Sequence, residues 1–311
     1  MLKRFFLGSI LISLAISLTS CPSPYTLGFP GEYPVASYQT KFGDNYPVSI
    51  FYPDTEPRLS NLPIVIFNTG WNQPRGTYDG YATQLAQWGF IAVTRFYPSP
   101  GLLWFGDDHV PWQVDQSMEL VSWLGSENTR VDSPLYGLVD ASTVGTTGHS
   151  LGATVAILHA VDDPRVKAMV SLDAGYAGEE NSPELLLAQT DASLMYIISA
   201  DGGWCAQAPG TTLPLFDISQ PNAAEVIISN SDHMDFEDSM VGMNYFGQVF
   251  CPSAPAPPSP QEVRDIATRY MIAWFNVYLK GNTEFERYYV GAEAQQDIDA
   301  GLVSIRTKFE E

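Results

Sequence analysis

The sequence predicts an α/β domain with a mostly parallel central sheet and helices on both of its faces. From about residue 33 to residue 281, β-branched and aromatic runs alternate with segments of helical spacing, and repeated β-α-β units build parallel sheets. The chain has 311 residues, of which 45% are hydrophobic and 16% charged. This composition supports a large buried core and excludes a disordered or collagen-like chain.

The first half of the folded part supplies strands and two helices. The expected segments are strands over 46–52, 62–68 and 90–96 and helices over 78–88 and 111–124. Tyr81, Leu85 and Trp88 recur at helical spacing, and Gly89 is expected to end their helix. Pro111 fits near the start of the second helix, because the first turn needs no backbone N–H from it.

The second half repeats the alternation and closes on a long helix. The expected segments are strands over 144–148, 168–172, 194–199 and 225–229 and helices over 150–160, 183–189 and 261–280. Gly281 is the stop signal of the last helix. A connector over 252–260 carries five prolines and is not expected to be a domain boundary. The polar part from Asn282 onward is expected to wrap the surface. No internal repeat or second domain is apparent, so residues 35–311 are predicted to form a single domain.

The N-terminus has the features of a bacterial export signal. Lys3 and Arg4 precede an apolar run over 5–18, which at about 14 residues is shorter than the roughly 20 that span a bilayer as a stable helix. The segment 18–21, Leu-Thr-Ser-Cys, resembles the lipobox of bacterial lipoproteins, in which cleavage precedes a cysteine that takes up lipid. Cys21 would then be the first residue of the mature protein.

Lipid attachment at Cys21 predicts a membrane-anchored location in the bacterial cell envelope. Residues 1–20 then form the signal peptide, and residues 21–34, rich in proline, glycine and serine, form a tether. An uncleaved membrane anchor is the alternative. The remaining cysteines, Cys205 and Cys251, are expected to form a disulfide in an exported chain, with two buried free thiols as the alternative.

The charge of the chain limits its partners. Lysine and arginine number 15 against 35 aspartate and glutamate, which gives a formal net charge of −20 at pH 7. The sequence has no basic cluster to neutralise phosphates, so nucleic acid is excluded as a partner, and acidic substrates are repelled. The four histidines and three cysteines show no metal-ligand spacing, and neither a metal nor a cofactor is expected.

Gly148-His149-Ser150-Leu151-Gly152 matches the Gly-x-Ser-x-Gly pattern of a nucleophilic serine. A predicted strand precedes the motif and a predicted helix follows it, which is the context that gives the pattern meaning. The two glycines remove Cβ atoms that would collide in the sharp turn. Ser150 is therefore expected to project its hydroxyl at the head of the helix.

With this motif the chain resembles the α/β-hydrolases, and within them the branch of chlorophyllases, platelet-activating-factor acetylhydrolases and polyester-degrading cutinases. The resemblance covers about residues 33–281. It rests on four segments: 67–71 (Phe-Asn-Thr-Gly-Trp), 148–154, 171–174 (Ser-Leu-Asp-Ala) and 232–236 (Asp-His-Met-Asp-Phe). Many relatives carry a further glycine after the serine turn, where this chain has Ala153. The resemblance implies an α/β-hydrolase fold and a Ser-His-Asp triad.

The resemblance places the catalytic base at His233, in a loop just beyond the strand over 225–229. A serine hydroxyl needs a base to remove its proton, and in this fold the base follows the acid in the chain. His159 also follows Ser150 but is expected to pack or cap on the helix after the motif. His109 precedes the serine and is interpreted as a surface-loop residue, with a place in the cleft as the alternative.

Two aspartates are candidates for the acid that orients His233. Asp173 ends one predicted strand, as in the chlorophyllase and acetylhydrolase relatives, and Asp201 follows the next, as in the cutinases. A buried aspartate fixes the imidazole tautomer and stabilises the imidazolium. Asp173 is favoured, because its Ser-Leu-Asp-Ala motif matches those relatives, whereas Asp201 precedes two glycines as in a plain turn. Asp232 and Asp235 are too close in sequence to orient the ring.

The backbone N–H groups of Leu151 and Trp71 are the expected oxyanion donors. Leu151 follows the nucleophile, and Trp71 follows Gly70 in the loop after the strand over 62–68. Further aromatic residues either line an acyl groove or pack in the core: Trp104, Phe105, Trp112 and Trp204.

The sequence therefore predicts an exported, lipid-anchored serine hydrolase that cleaves small-molecule, lipid or polymeric carboxylic esters through an acyl-enzyme. The triad does not identify the leaving group, so an amidase, thioesterase or peptidase on the same residues is the first alternative. The second is a non-catalytic surface lipoprotein that uses the aromatic cleft for binding.

Overall fold

The computed structural model describes residues 30–43, 46–96, 109–174, 187, 190–200, 215–220, 222–238 and 258–309. Several sequence predictions lie outside these ranges and stay predictions: the signal peptide with Cys21, the cysteines Cys205 and Cys251, the alternative acid Asp201, the aromatic residues Trp104, Phe105 and Trp204, and most of the helix over 183–189. In the ranges that are described, no helix is long and apolar enough to cross a membrane.

Strands and helices alternate along the described part. The strands are β1 (Val35–Phe42), β2 (Tyr46–Pro53), β3 (Leu62–Asn68), β4 (Ile91–Arg95), β5 (Val139–His149), β6 (Val166–Leu172), β7 (Ser193–Ser199), β8 (Ala223–Ile228) and β9 (Val303–Lys308). The α-helices are α1 (Asp79–Gln87), α2 (His109–Glu127), α3 (Leu151–Asp162), α4 (Leu215–Ile218), α5 (Pro260–Lys280), α6 (Arg287–Val290) and α7 (Ala292–Asp299). Short 3-10 turns cover Arg75–Tyr78, His233–Phe236 and Thr283–Glu286.

The nine described strands form one sheet in the order β1-β2-β4-β3-β5-β6-β7-β8-β9. The strands from β4 to β8 in this order pair in parallel. The pairs β1–β2, β2–β4 and β8–β9 are antiparallel. The predicted mostly parallel sheet is confirmed. Because the carboxyl ends of parallel strands share one edge, the loops after β3, β5, β6, β7 and β8 lie on the same side of the molecule.

Helices cover both faces of the sheet, as the sequence predicts. On one face α1 and α5 contribute Leu85, Trp274 and Phe275 to a buried cluster. On the other face α2 and α3 contribute Leu124 and Ile157 to a second cluster. All positions of β3 are buried, as expected for a central strand between two helix layers.

The helix α5 has clear end signals in the sequence. The Ser259 hydroxyl accepts the N–H of Glu262, and the Glu262 side chain accepts the N–H of Ser259, which forms a capping box with Pro260 at the first helical position. Gly281 ends the helix in a left-handed conformation with φ 68°. The prediction of a helix over 261–280 is thus confirmed to within a residue.

The chain from Asn282 onward lies mostly at the surface, as expected, but it also forms regular structure that the sequence did not predict. This part forms α6, α7 and the strand β9, which extends the sheet by pairing with β8. The sequence also missed β1 at the opposite edge. An edge strand can expose one side, and the burial of β9 falls from Val303 to the exposed Ser304 and Arg306. Such a segment has the polar composition of a surface loop, so its sequence pattern does not predict a strand.

Candidate active site

Ser150 lies in the sharp turn between β5 and α3. Its backbone has φ 56° and ψ −126°, a conformation that non-glycine residues rarely adopt. A Cβ at Gly148 would lie 2.3 Å from the carbonyl oxygen of Gly152, and a Cβ at Gly152 would lie 2.1 Å from that of Asn68. Both positions of the motif therefore require glycine, because β3, β5 and α3 meet too closely for a side chain.

His233 begins the 3-10 turn after β8 and reaches both Ser150 and Asp173. Its Nε2 is 2.9 Å from Ser150 Oγ, and its Nδ1 is 2.7 Å from Asp173 Oδ2. Two neighbouring aspartates shape the turn. Asp232 accepts a backbone N–H of the turn, and Asp235 accepts the N–H of Asp232. This capping box fixes the backbone that carries the imidazole ring.

Asp173 follows β6 and is fully buried, with φ 46°. Its carboxylate accepts two hydrogen bonds from Ser199 at the end of β7, the N–H on Oδ1 at 3.0 Å and the hydroxyl on Oδ2 at 2.9 Å. A buried carboxylate needs such donors to offset the loss of water. The structure therefore brings Asp173 to His233, whereas the alternative Asp201 lies outside the described residues.

The register of the central strands places the ends of β5, β6 and β7 side by side. Leu172 on β6 pairs with both His149 on β5 and Ile197 on β7. Backbone hydrogen bonds continue past the strand ends, with the Ser150 N–H donating to Leu172 and the Asp173 N–H donating to Ile197. The serine, the carboxylate and the imidazole therefore project from one edge of the sheet.

Trp71 and Leu151 lie close to the serine turn. The half-buried Trp71 packs against a small cluster that contains Leu151. A Cβ at Gly70 would lie 3.0 Å from the Tyr78 hydroxyl and 3.5 Å from the His149 carbonyl oxygen, so the loop after β3 passes directly beside the motif. Leu151 is the first residue of α3, where a backbone N–H has no carbonyl of the helix before it to bond, so this N–H is the one expected to face an oxyanion.

The serine turn and the hydrogen-bonded imidazole thus lie at the carboxyl edge of an α/β sheet. Residues 31–306 match the family described as PETase, PET hydrolase-like. The chain belongs to this family. It is an ester hydrolase of the α/β-hydrolase type, which confirms the superfamily and the enzyme class that the sequence predicts. No curated protein sequence matches it significantly.

Behind the imidazole of this PETase-family chain lies a buried polar cluster that sequence reasoning missed. The His149 ring centre is 4.5 Å from that of His233. Its Nε2 is 2.8 Å from the His233 carbonyl oxygen, and its Nδ1 is 2.8 Å from the Tyr78 hydroxyl. The Tyr78 hydroxyl lies 3.4 Å from Glu237 Oε1. The available signals were a titratable residue inside the serine motif and an acid four residues after His233.

Burial dominates the titration of this cluster. It lowers the pKa of His149 well below its ordinary value, and the nearby His233 lowers it further. Burial also raises the pKa of Glu237 to about 8. Both shifts favour the uncharged form of each group.

The remaining histidines have structural contacts. His159 is buried on α3, 3.1 Å from Thr146 Oγ1 and 3.3 Å from Asp163, as expected for a packed residue. The surface-loop interpretation of His109 is wrong: it begins α2, is 6% exposed, and stacks on Trp112 with ring centres 5.6 Å apart. Among the described residues, no group of three or more His, Cys, Asp or Glu side chains could hold a metal ion.

Proposed function

We propose that this ester hydrolase acts through an acyl-enzyme on Ser150. The observation that carries the proposal is the continuous line of contacts from Ser150 through His233 to the buried Asp173. The carboxylate accepts the Nδ1 hydrogen, so Nε2 is left as the base that faces the serine hydroxyl. Family membership supports an ester as the substrate class.

The proposed reaction has two halves. Ser150 Oγ bonds to the ester carbonyl carbon while His233 Nε2 takes its proton, and the oxyanion accepts hydrogen bonds from the N–H groups of Leu151 and Trp71. The imidazolium then gives this proton to the leaving alcohol oxygen as the C–O bond breaks. Water attacks the acyl-enzyme in the same way and releases the acid.

Neutral esters are the proposed substrates. The formal charge of −20 disfavours anionic substrates and favours departure of the anionic acid product. The family description refers to PET hydrolysis, so a neutral aromatic polyester joins small-molecule and lipid esters among the proposed substrate classes.

Activity measurements on residues 22–311, which lack Cys21, test this proposal. The substrates are short and long p-nitrophenyl esters, a polyester film and matched amide and thioester compounds, with Ser150→Ala as the control. Ester hydrolysis that is lost in Ser150→Ala supports the proposal, and preference for the amide or thioester favours the alternative enzyme classes. A folded protein with no hydrolysis and no labelling by a fluorophosphonate would instead indicate a binding lipoprotein.

We also propose that the protein is exported and lipid-anchored through Cys21 in the bacterial cell envelope. The support is in the sequence: Lys3 and Arg4, the apolar run over 5–18, and the lipobox-like segment that ends at Cys21. Expression of the full chain and of Cys21→Ser in a bacterial host, followed by membrane fractionation and mass spectrometry, tests it. An unprocessed, unlipidated N-terminus in the parent chain would refute the anchor.

A further inference from the structure

Tyr78, His149 and Glu237 form a closed polar cluster in a protein interior. Their exposed fractions are 0%, 1% and 2%, so their hydrogens must be shared among themselves and nearby backbone groups. They come from three separate segments: the 3-10 turn before α1, the end of β5 and the chain after the His233–Phe236 turn. The cluster contacts the proposed base through the His233 carbonyl oxygen.

Counting hydrogens limits the protonation states that this cluster can adopt, and one of them leaves His149 neutral. A carbonyl oxygen can only accept, so His149 Nε2 carries a hydrogen and donates it to His233. In a neutral imidazole Nδ1 then accepts, and the single hydroxyl hydrogen of Tyr78 is used there. The contact between Tyr78 and Glu237 is then a hydrogen bond only when the carboxyl group is protonated and donates.

A second observation also favours the protonated acid. Glu237 Oε2 is buried and has no hydrogen-bond partner among the described residues. An ionised carboxylate would leave this oxygen with an uncompensated charge, whereas a neutral carboxyl group tolerates one unpaired oxygen better.

The same hydrogens allow one competing arrangement. His149 could be charged and donate from Nδ1 to Tyr78, which would then donate to an ionised Glu237. That arrangement puts a positive ring 4.5 Å from the ring centre of His233, where the proposed reaction forms an imidazolium. Like charges at this distance oppose each other in a buried site, so the neutral arrangement suits the base.

We propose that Glu237 is a positioning residue that acts as a protonated acid through Tyr78 and His149, keeping His149 neutral and the His233 backbone in place. This inference rests on the proposed role of His233 as the base. Ionisation of Glu237 would draw the Tyr78 hydrogen away from His149 and leave His149 Nδ1 without its donor.

Further charged and titratable groups lie on the Glu237 segment and on the elements packed against it. On its own segment and on the packed elements they are His233, Asp173, Asp235, Asp238, Asp79, Tyr81, Arg264 and Asp265. Arg264 on α5 donates to the Glu237 carbonyl oxygen at 2.8 Å and lies 3.6 Å from Asp238, so it holds the segment by its backbone. Burial raises the pKa values of Asp235 and Asp238 to about 6. Ionisation of Glu237 near pH 8 can therefore be distinguished from ionisation of these two aspartates.

Three variants test the proposal in the mature protein through kcat, KM and the pH profile of kcat. In the parent, kcat should fall as Glu237 ionises near pH 8. Glu237→Gln keeps a donor toward Tyr78 and cannot ionise, so its kcat should stay within about threefold of the parent and should not fall near pH 8. Glu237→Leu and Tyr78→Phe each break the line of hydrogen bonds from Glu237 through Tyr78 to His149. For these variants kcat should fall about tenfold with KM nearly unchanged, as expected for one lost buried hydrogen bond.

Tyr81→Phe is the matched control. Tyr81 is buried, and its hydroxyl donates at 3.1 Å to the carbonyl oxygen of Phe236 beside the same segment but outside the cluster. It should lower the melting temperature without changing kcat or the pH profile.

The outcomes separate this inference from the proposed function. Activity that survives in Ser150→Ala refutes the proposed function itself. A serine-dependent enzyme in which Glu237→Gln keeps the parent pH profile, or in which Glu237→Leu keeps the parent kcat, refutes the positioning role. If Tyr78→Phe does not fold, the pH profile of Glu237→Gln still decides.

Discussion

Asp173→Asn is expected to remove most of the esterase activity without disturbing the fold. The Ser199 N–H donates to Asp173 Oδ1, so this position must remain an oxygen in the variant. The amide nitrogen then replaces Oδ2, which faces His233 Nδ1 and the Ser199 hydroxyl. Its two hydrogens can donate to both groups, with the Ser199 oxygen changing from donor to acceptor, so each of these atoms keeps a partner.

The substitution reverses the tautomer of the imidazole. An amide N–H that donates to His233 Nδ1 leaves the ring hydrogen on Nε2, which then donates to Ser150 Oγ instead of accepting its proton. The negative charge that stabilises the imidazolium is lost as well. We expect kcat to fall about 10⁴-fold, which corresponds to about 5 kcal/mol of transition-state stabilisation.

The assay is kcat for p-nitrophenyl acetate, with fluorophosphonate labelling and thermal unfolding measured on the same preparations. Asp201→Asn is the matched control, because it changes the other candidate acid in the same way, and it should behave like the parent. A kcat for Asp173→Asn above about a tenth of the parent value would refute the reasoning. Loss of activity in Asp201→Asn would move the acid to that position.

Three further predictions follow from local geometry. Gly152→Ala should lower both melting temperature and activity, because its Cβ would meet the Asn68 carbonyl oxygen at 2.1 Å, whereas Gly76→Ala, whose nearest contact is at 3.8 Å, should do neither. Trp71→Ala should keep kcat within about tenfold of the parent, because the proposed donor is a backbone N–H. The folded-state pKa of Glu237, about 8, lies above its ordinary 4.5, so the stability contributed by the neutral acid is lost as pH rises through this window. Glu237→Gln should therefore melt higher than the parent at pH 9, by roughly 4 °C or more at about 2–4 °C per kcal/mol, and should match it at about pH 4, below the ordinary pKa.

The central part of the fold was predictable because its strands are buried on both faces. A strand such as β3 is a short apolar run rich in β-branched residues and followed by Thr69-Gly70, and these features together distinguish it from a helix. The edge strands β1 and β9 expose alternate residues and carry polar side chains, so composition alone assigns them to loops. Their positions depend on pairing with β2 and β8, which is a long-range contact.

The candidate site divides in the same way. Ser150 and the family resemblance are local in sequence, because a strand, a glycine-flanked turn and a helix are adjacent in the chain. The sequence favours Asp173 over Asp201 by its local motif, but which carboxylate reaches the imidazole is a question of distance between loops. Ser199 and Glu237 could not be found, because their contacts depend on burial among segments far apart in the chain.

The alignment of the site depends on the sheet more than on its loops. Ser150 and Asp173 each end a strand with a positive φ, 56° and 46°, which turns the chain sharply where the strand stops. Each strained residue donates its N–H to the neighbouring strand, at Leu172 and Ile197, so sheet pairing holds the strain in place. In the same way, the Ala200 N–H after β7 donates to the carbonyl oxygen of Ile228, the last residue of β8. The chain that leaves β8 then carries His233. Loss of the pairing between β6 and β7 would therefore separate the carboxylate from the imidazole even if the helix layers stayed packed.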